Sequence, residues 1–388
     1  MQISDESPAR PGPLASEHQA LGAKLGEFGG WLMPLDYRGG GVRAEHAAVR
    51  ESVGLFDVSH MGTLTIMGPD TVDLLDSVLV GDIAKLPPGA AKYTLMCDDD
   101  GGVIDDLIVY RRGDGAVLIP NAANSAEVVD RLSRERPSRV EVRDDGDETV
   151  ILAVQGPRSR AVLEVVVGSK GVGFKEDLAL RELDYLRFAE VCGPDGEEVL
   201  LARTGYTGEL GYELMIPVAQ GRQWWSRVMA AVEDFGGRAC GLGARDVLRT
   251  EMGYPLHGQD VSRGLTPLEA GLGWTIAWDK SEFRGRGALV ALREKGIDRR
   301  LRGLRCVDRG VPRPGMVVDT RIGPGSVTSG TFSPVLGEGI ALAMLPAAVE
   351  PGEEVAIDIR GRGCRATVVP TPFVDSDPRR DPLPATAG

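Results

Sequence analysis

Lys92-Tyr-Thr-Leu-Met-Cys-Asp-Asp-Asp-Gly-Gly-Val-Ile-Asp-Asp-Leu-Ile-Val-Tyr-Arg-Arg-Gly-Asp-Gly-Ala-Val-Leu-Ile-Pro-Asn121 is the stretch from which the fold class is read. Three apolar runs are cut by two clusters of Asp and Gly, the pattern of strands joined by tight turns. It predicts a β-meander with strands at 93–97, 103–110 and 116–120, turning at 98–102 and 113–115. Ser125 follows as the expected cap of a helix running from Ala126 to about Arg134.

Working outward, strands are expected at 150–154, 198–203 and 212–216, and helices at 43–53, 71–79, 221–235 and 244–252. Beyond about Gly287 the chain turns to β-like runs broken by Gly and Pro, at 301–307, 325–329, 340–345 and 354–359, which suggests a separate C-terminal β domain. The overall class is α+β. Residues 1–13 and 376–388, rich in Pro, Ser, Asp and Arg without apolar periodicity, read as disordered tails.

The bulk composition fits a globular protein of two or three domains: 388 residues, 42% apolar and 26% charged. Gly and Pro are abundant (52 and 25), which favours turns over long helices. A net charge of −13 argues against nucleic-acid binding, which needs a basic face to neutralise phosphates. No apolar run approaches the roughly 20 residues of a membrane span, and the N-terminus is acidic, unlike a targeting peptide. Five scattered cysteines without a C-x-x-C pair fit reduced thiols in the cytoplasm. The four histidines show no metal-ligand spacing, so no metal is expected.

Three segments carry chemistry. Asp105-Asp106 interrupts an otherwise apolar strand, where a carboxylate needs a partner or a ligand. Strand alternation places Asp105 with Val103, Leu107 and Val109, and Asp106 with Ile104, Ile108 and Tyr110. Arg203-Thr-Gly-Tyr-Thr-Gly-Glu-Leu-Gly-Tyr-Glu213 combines a glycine-rich turn with Glu213, a carboxylate able to accept two parallel N–H bonds. Cys240-Gly-Leu-Gly-Ala-Arg-Asp246 reads as a turn opening a helix, without the third glycine of a dinucleotide fingerprint. Each alone is equally consistent with a structural role: a carboxylate on backbone N–H groups, a solvated hairpin, an Arg–Asp pair.

Together with Phe28-Gly-Gly-Trp-Leu-Met-Pro34, Gly54-Leu-Phe-Asp-Val-Ser-His-Met61 and Ser329-Gly-Thr-Phe-Ser-Pro334, these segments resemble, in order, the glycine cleavage T-protein family, over roughly residues 12–373. The resemblance implies a three-domain cloverleaf around a central folate cavity. Two interleaved α+β domains with antiparallel sheets would comprise 1–56 with 146–236, and 57–145 with 237–285. A small β-barrel-like domain would span 286–375.

It implies transfer of a one-carbon unit from an S-aminomethyl dihydrolipoyl arm on the H-protein to tetrahydrofolate. The products would be 5,10-methylenetetrahydrofolate, ammonia and the reduced arm. Asp106 matches the family's catalytic aspartate and Arg245 its arginine beside the active site. Glu213 matches the glutamate that grips the pterin. Tyr93, Tyr110, Asn121 and Tyr206 match residues lining the folate pocket, and Met61 an apolar contact.

The implied partners are the lipoylated H-protein and tetrahydrofolate, with no nucleic acid or membrane, in a cytoplasmic monomer or weak dimer. Two positions depart from the pattern: His257, where many members carry Tyr, and Val335, where Thr is commoner. Two other readings share the architecture. One is a folate-dependent demethylase of a small methylated donor. The other is a non-enzymatic folate-binding protein of iron–sulfur-cluster assembly, whose motif cysteine is missing from Gly253-Tyr-Pro-Leu-His-Gly-Gln-Asp260.

Overall fold

In the computed structural model, which describes residues 9–167, 180–193 and 196–380, the meander forms three strands of a five-stranded antiparallel sheet. Its order is Ala90–Cys97, Val103–Arg111, Gly115–Ile119, Leu64–Met67 and Glu141–Asp144. The register slips where Met96 pairs with Asp105 but Cys97 with Val103, leaving Ile104 as an extra residue. This bulge corrects the expected alternation. Ile104 packs with Leu107 and Val109, whereas Val103 joins Leu95 and Cys97 in another cluster. The irregularity lies before both aspartates, so Asp106 still shares its face with Ile108 and Tyr110.

A second sheet runs Phe188–Cys192, Glu198–Ala202, Gly211–Pro217, Thr149–Gln155, Gly54–Asp57 and Arg238–Ala239, with only the last pairing parallel. Helix Val218–Asp234 covers one face, burying Trp224, Trp225, Val228 and Val232 against Val150, Leu152 and Leu214. The chain leaves this sheet after Asp57, builds the other from Leu64 to Asp144, and returns at Thr149. Asp57 and the Arg238–Ala239 strand still pair within this sheet, one and three residues past the expected boundaries at 56 and 236.

Residues 299–369 close into a six-stranded barrel in the order Arg299–Cys306, Glu338–Pro346, Pro324–Ser333, Val317–Asp319, Glu354–Asp358 and Gly363–Val369. Its interior is filled by side chains that include Leu304, Val318, Val327, Ile357 and Val368, as a narrow barrel requires. Helix Arg286–Lys295, expected with this domain, instead buries Leu289 against Leu95, Cys97 and Val103 of the five-stranded sheet.

The expected tails are partly structured. Arg10–Pro11 pair in parallel with Trp31–Leu32, extending a small sheet of Ala23–Phe28 and Trp31–Tyr37 that is not among the expected strands. At the other end, Ser376 Oγ donates to the Gly208 carbonyl at 2.7 Å, and Arg203 Nη2 donates to the Arg379 carbonyl at 3.1 Å. Residues 1–8 and 381–388 of those expected tails lie outside the described residues. Ser125 is also not the cap. It is the first residue of helix Ser125–Glu135, and Asn124 holds the cap position without bonding the helix.

Candidate active site

Between the two large sheets lies a cavity of about 350 Å³, within the size range of small-molecule sites. Each sheet contributes a wall: Asp106, Ile108 and Tyr110 from one, Ile151, Glu213 and Met215 from the other. Helix Leu242–Met252 adds Arg245 and Arg249. The cavity brings together all eight residues singled out in the sequence: Met61, Tyr93, Asp106, Tyr110, Asn121, Tyr206, Glu213 and Arg245.

Two polar groups stand out along strand Val103–Arg111. Asp106 Oδ2 accepts from the Tyr93 hydroxyl at 2.9 Å, and Asp106 Oδ1 from Asn121 Nδ2 at 3.0 Å. Burial raises the Asp106 carboxyl above the usual range, while His257, Tyr93 and Asn121 pull it back. Four residues on, roughly 13 Å along an extended strand, the Tyr110 hydroxyl contacts Thr204 Oγ1 at 3.2 Å and Glu213 at 3.5 Å. Thr204 Oγ1 donates to Glu213 Oε2 at 2.5 Å. Glu213 is therefore held from one side, with no Lys or Arg in a salt bridge among the described residues. A carboxylate in that state can accept N–H donors from a ligand.

Arg245 lies 4.7 Å above the Tyr206 ring, and its Nη1 is buried without a hydrogen-bond partner among the described residues. Burial pulls this guanidinium below its ordinary value, while Glu213 and Tyr206 favour its charge. Tyr206 is itself fixed by its hydroxyl donating to the Pro255 carbonyl and by stacking on Tyr254. Gly205 makes this loop possible: a Cβ there would lie 2.0 Å from Gln155 Oε1.

Sequence reasoning missed His60 and Arg249. His60 stands beside the quoted Met61, but only tertiary packing makes it 3% exposed, edge-to-face with Phe28 at 5.3 Å. Burial, aided by Arg245, pushes its pKa down to about 4, so it is neutral at pH 7. An imidazole whose pKa falls from 6.5 on folding stabilises the protein above pH 6.5 and loses that contribution as pH drops through 4. The loss reaches roughly 3 kcal/mol. His60→Leu is expected to flatten the fall in melting temperature between pH 6.5 and 4 relative to the unaltered protein. Parallel curves over that interval would show that His60 is not held neutral.

Among the described residues no group of three His, Cys, Asp or Glu is placed to hold a metal ion. Among the described residues no helix is long and apolar enough to cross a membrane.

The family model described as the GCVT N-terminal domain matches residues 14–280, and that of the glycine cleavage T-protein C-terminal barrel domain matches residues 299–375. An aminomethyltransferase of Parafrankia sp. is 49% identical over 95% of this chain and 99% of its own length. One from Mycolicibacterium paratuberculosis is 47% identical over 96% and 99%. The crystal structure of the glycine cleavage system aminomethyltransferase T from Bartonella henselae superposes with a TM-score of 0.86 at 33% identity, covering 95% of this chain and 99% of that one. The chain belongs to the glycine cleavage T-protein family.

Proposed function

We propose that the chain is the aminomethyltransferase of a glycine cleavage system, moving a one-carbon unit from an S-aminomethyl dihydrolipoyl arm to tetrahydrofolate. The arm belongs to the H-protein, and the products are 5,10-methylenetetrahydrofolate, ammonia and the dihydrolipoyl arm. The observation that carries this reading is the placing of Glu213 and Asp106 in one cavity, on either side of Tyr110, within a chain of this family. Glu213 offers a carboxylate to the paired N–H donors of a pterin edge, and Met61, Tyr93 and Tyr206 supply apolar and aromatic surface for the rings. Asp106 then faces the reacting end, where a carboxylate stabilises cationic carbon–nitrogen character and assists proton movement. Arg245, whose buried Nη1 has no hydrogen-bond partner among the described residues, orients the anionic portion of a substrate. The chain works in the cytoplasm as a monomer or weak dimer; its five unpaired cysteines support a reducing compartment.

The direct test incubates the protein with methylenetetrahydrofolate, ammonia and reduced H-protein and looks for the aminomethylated arm. Its appearance supports the reading; efficient methyl transfer from a small donor, with none to or from the H-protein, would replace it. Tetrahydrofolate is expected to raise the melting temperature by mass action. Glu213→Ala removes a charged acceptor worth about 1.5–3 kcal/mol, so folate affinity should fall roughly 10- to 150-fold. An unchanged dissociation constant by titration calorimetry would remove Glu213 from the site.

A further inference from the structure

One guanidinium that does not line the cavity joins two of the elements that build it. Arg50, on helix Gly41–Glu51, has a side chain only 10% exposed. Its Nη1 donates to the Thr207 carbonyl at 2.9 Å and to Glu209 Oε1 at 2.7 Å, both in the glycine-rich loop that precedes strand Gly211–Pro217. Its Nε and Nη2 donate to Glu251 Oε2 at 3.2 and 2.7 Å, near the end of helix Leu242–Met252. Glu251 is wholly buried and is held in place by His46 Nε2 at 2.9 Å and by Ser333 Oγ, which donates to Oε1 at 2.6 Å.

The two elements joined in this way carry the two halves of one contact at the cavity. The loop presents Tyr206 and the helix presents Arg245, whose guanidinium lies 4.7 Å above the Tyr206 ring. Thr204 of the same loop donates to Glu213 Oε2 at 2.5 Å. Gln155 secures the loop from the neighbouring strand, accepting from Thr207 Oγ1 at 2.9 Å and donating to the Thr204 carbonyl at 3.1 Å. Arg50 adds a charged hold that reaches from the loop to the helix.

We propose that Arg50 is a positioning residue for tetrahydrofolate, fixing the Tyr206 loop against the Arg245 helix so that the cavity is formed before the ligand arrives. This rests on the reading that Tyr206, Glu213 and Arg245 hold tetrahydrofolate. A site held by rigid supports loses less conformational freedom on binding. A guanidinium suits the task because its planar fork serves loop and helix at once, which a single ammonium on a flexible stem does not. Ser376 Oγ donates to the Gly208 carbonyl at 2.7 Å and lies 2.9 Å from Glu209 Oε1, extending the joint to the C-terminal segment.

Glu209, with a side chain 19% exposed, is the mildest place to open the joint. In the full chain, Glu209→Ala removes the carboxylate that Arg50 grips in the loop. It should raise the dissociation constant of tetrahydrofolate roughly 10-fold, as for a loop correctly placed about a tenth of the time. Glu209→Gln keeps an acceptor oxygen for Arg50 and should restore most of that affinity. Arg50→Lys keeps the charge, loses the fork and should weaken binding as Glu209→Ala does. Calorimetry reads the affinities at a temperature where circular dichroism shows every variant folded. In transfer assays the KM for tetrahydrofolate should rise while kcat at saturation stays nearly unchanged. Hydrogen exchange across residues 203–211 should be faster in Glu209→Ala and slow again with saturating tetrahydrofolate. Unchanged affinity in both Glu209→Ala and Arg50→Lys, whatever happens to the melting temperature, would leave the joint purely structural and overturn the proposal. If Arg50→Lys does not fold, the Glu209 pair decides: weaker binding by the Ala variant than by the Gln variant supports the proposal, and equal binding overturns it. If the unaltered chain does not bind tetrahydrofolate, the folate reading falls and takes this role of Arg50 with it, and the exchange of residues 203–211 then shows separately whether Arg50 holds the loop.

Discussion

Asp106→Asn is expected to slow aminomethyl transfer by about 10²–10³-fold, the usual contribution of a positioned acid–base or electrostatic group. Tetrahydrofolate binding should change little. The amide keeps the carboxylate's shape and can still accept from Tyr93, 2.9 Å away in the native protein. What it loses is the charge and the ability to carry a proton. Single-turnover rates with preloaded H-protein, set beside folate affinity by calorimetry, separate the two effects. A matched loss of affinity and rate would mean that Asp106 holds the ligand and does little to the reaction itself.

Arg249→Leu should cost about 3–5 kcal/mol of stability, the penalty for leaving a buried charge without its partner. Arg249 is 1% exposed and donates to Asp246 Oδ1, to Asp260 Oδ2 at 2.7 Å and to Ser329 Oγ at 2.8 Å. Asp260 is wholly buried and, among the described residues, would keep only Ser329, Thr328 and the Leu256 backbone N–H as donors. Ser329 and Thr328 belong to the barrel, so the same guanidinium fastens the barrel to helix Leu242–Met252. Denaturant unfolding measures the loss, and Asp260→Leu added to Arg249→Leu should recover part of it. A penalty below about 1 kcal/mol would show that Arg249 is not the fastening.

The elements that could be read from sequence were those whose signal is local. The meander announces itself because Asp and Gly punctuate three apolar runs, and the C-terminal strands do so for the same reason. Arg10–Pro11 could not be read, because a two-residue strand has no period and takes its conformation from Trp31–Leu32. Residues 376–380 have no apolar pattern and are held by polar contacts from distant Arg203, Gly208 and Glu209. The bulge at Ile104 was equally invisible, since it depends on how Cys97 pairs across the turn.

For the site, strand alternation alone joined Asp106 to Tyr110. Bringing Glu213, Tyr206 and Arg245 to the same cavity required the resemblance, because those residues come from other parts of the chain. Alternation also hid a link between the two aspartates, since Asn121 Nδ2 donates to Oδ1 of both. Asn121 lies just past a strand end, where side-chain direction is not set by the period of two.

The route of the chain through its two large sheets has a consequence for how the protein is made. Strand Gly54–Asp57 has Thr149–Gln155 on one side and Arg238–Ala239 on the other. On the ribosome the first of these three emerges long before either neighbour exists, and the whole segment from Leu64 to Asp144 must be threaded into another sheet meanwhile. Pairings so distant in sequence form slowly, and an unpaired strand edge invites association with other chains. The nascent protein is therefore most exposed to misassembly between synthesis of residue 57 and residue 239, and holdase chaperones should engage it in that interval and release it once the sheet can close.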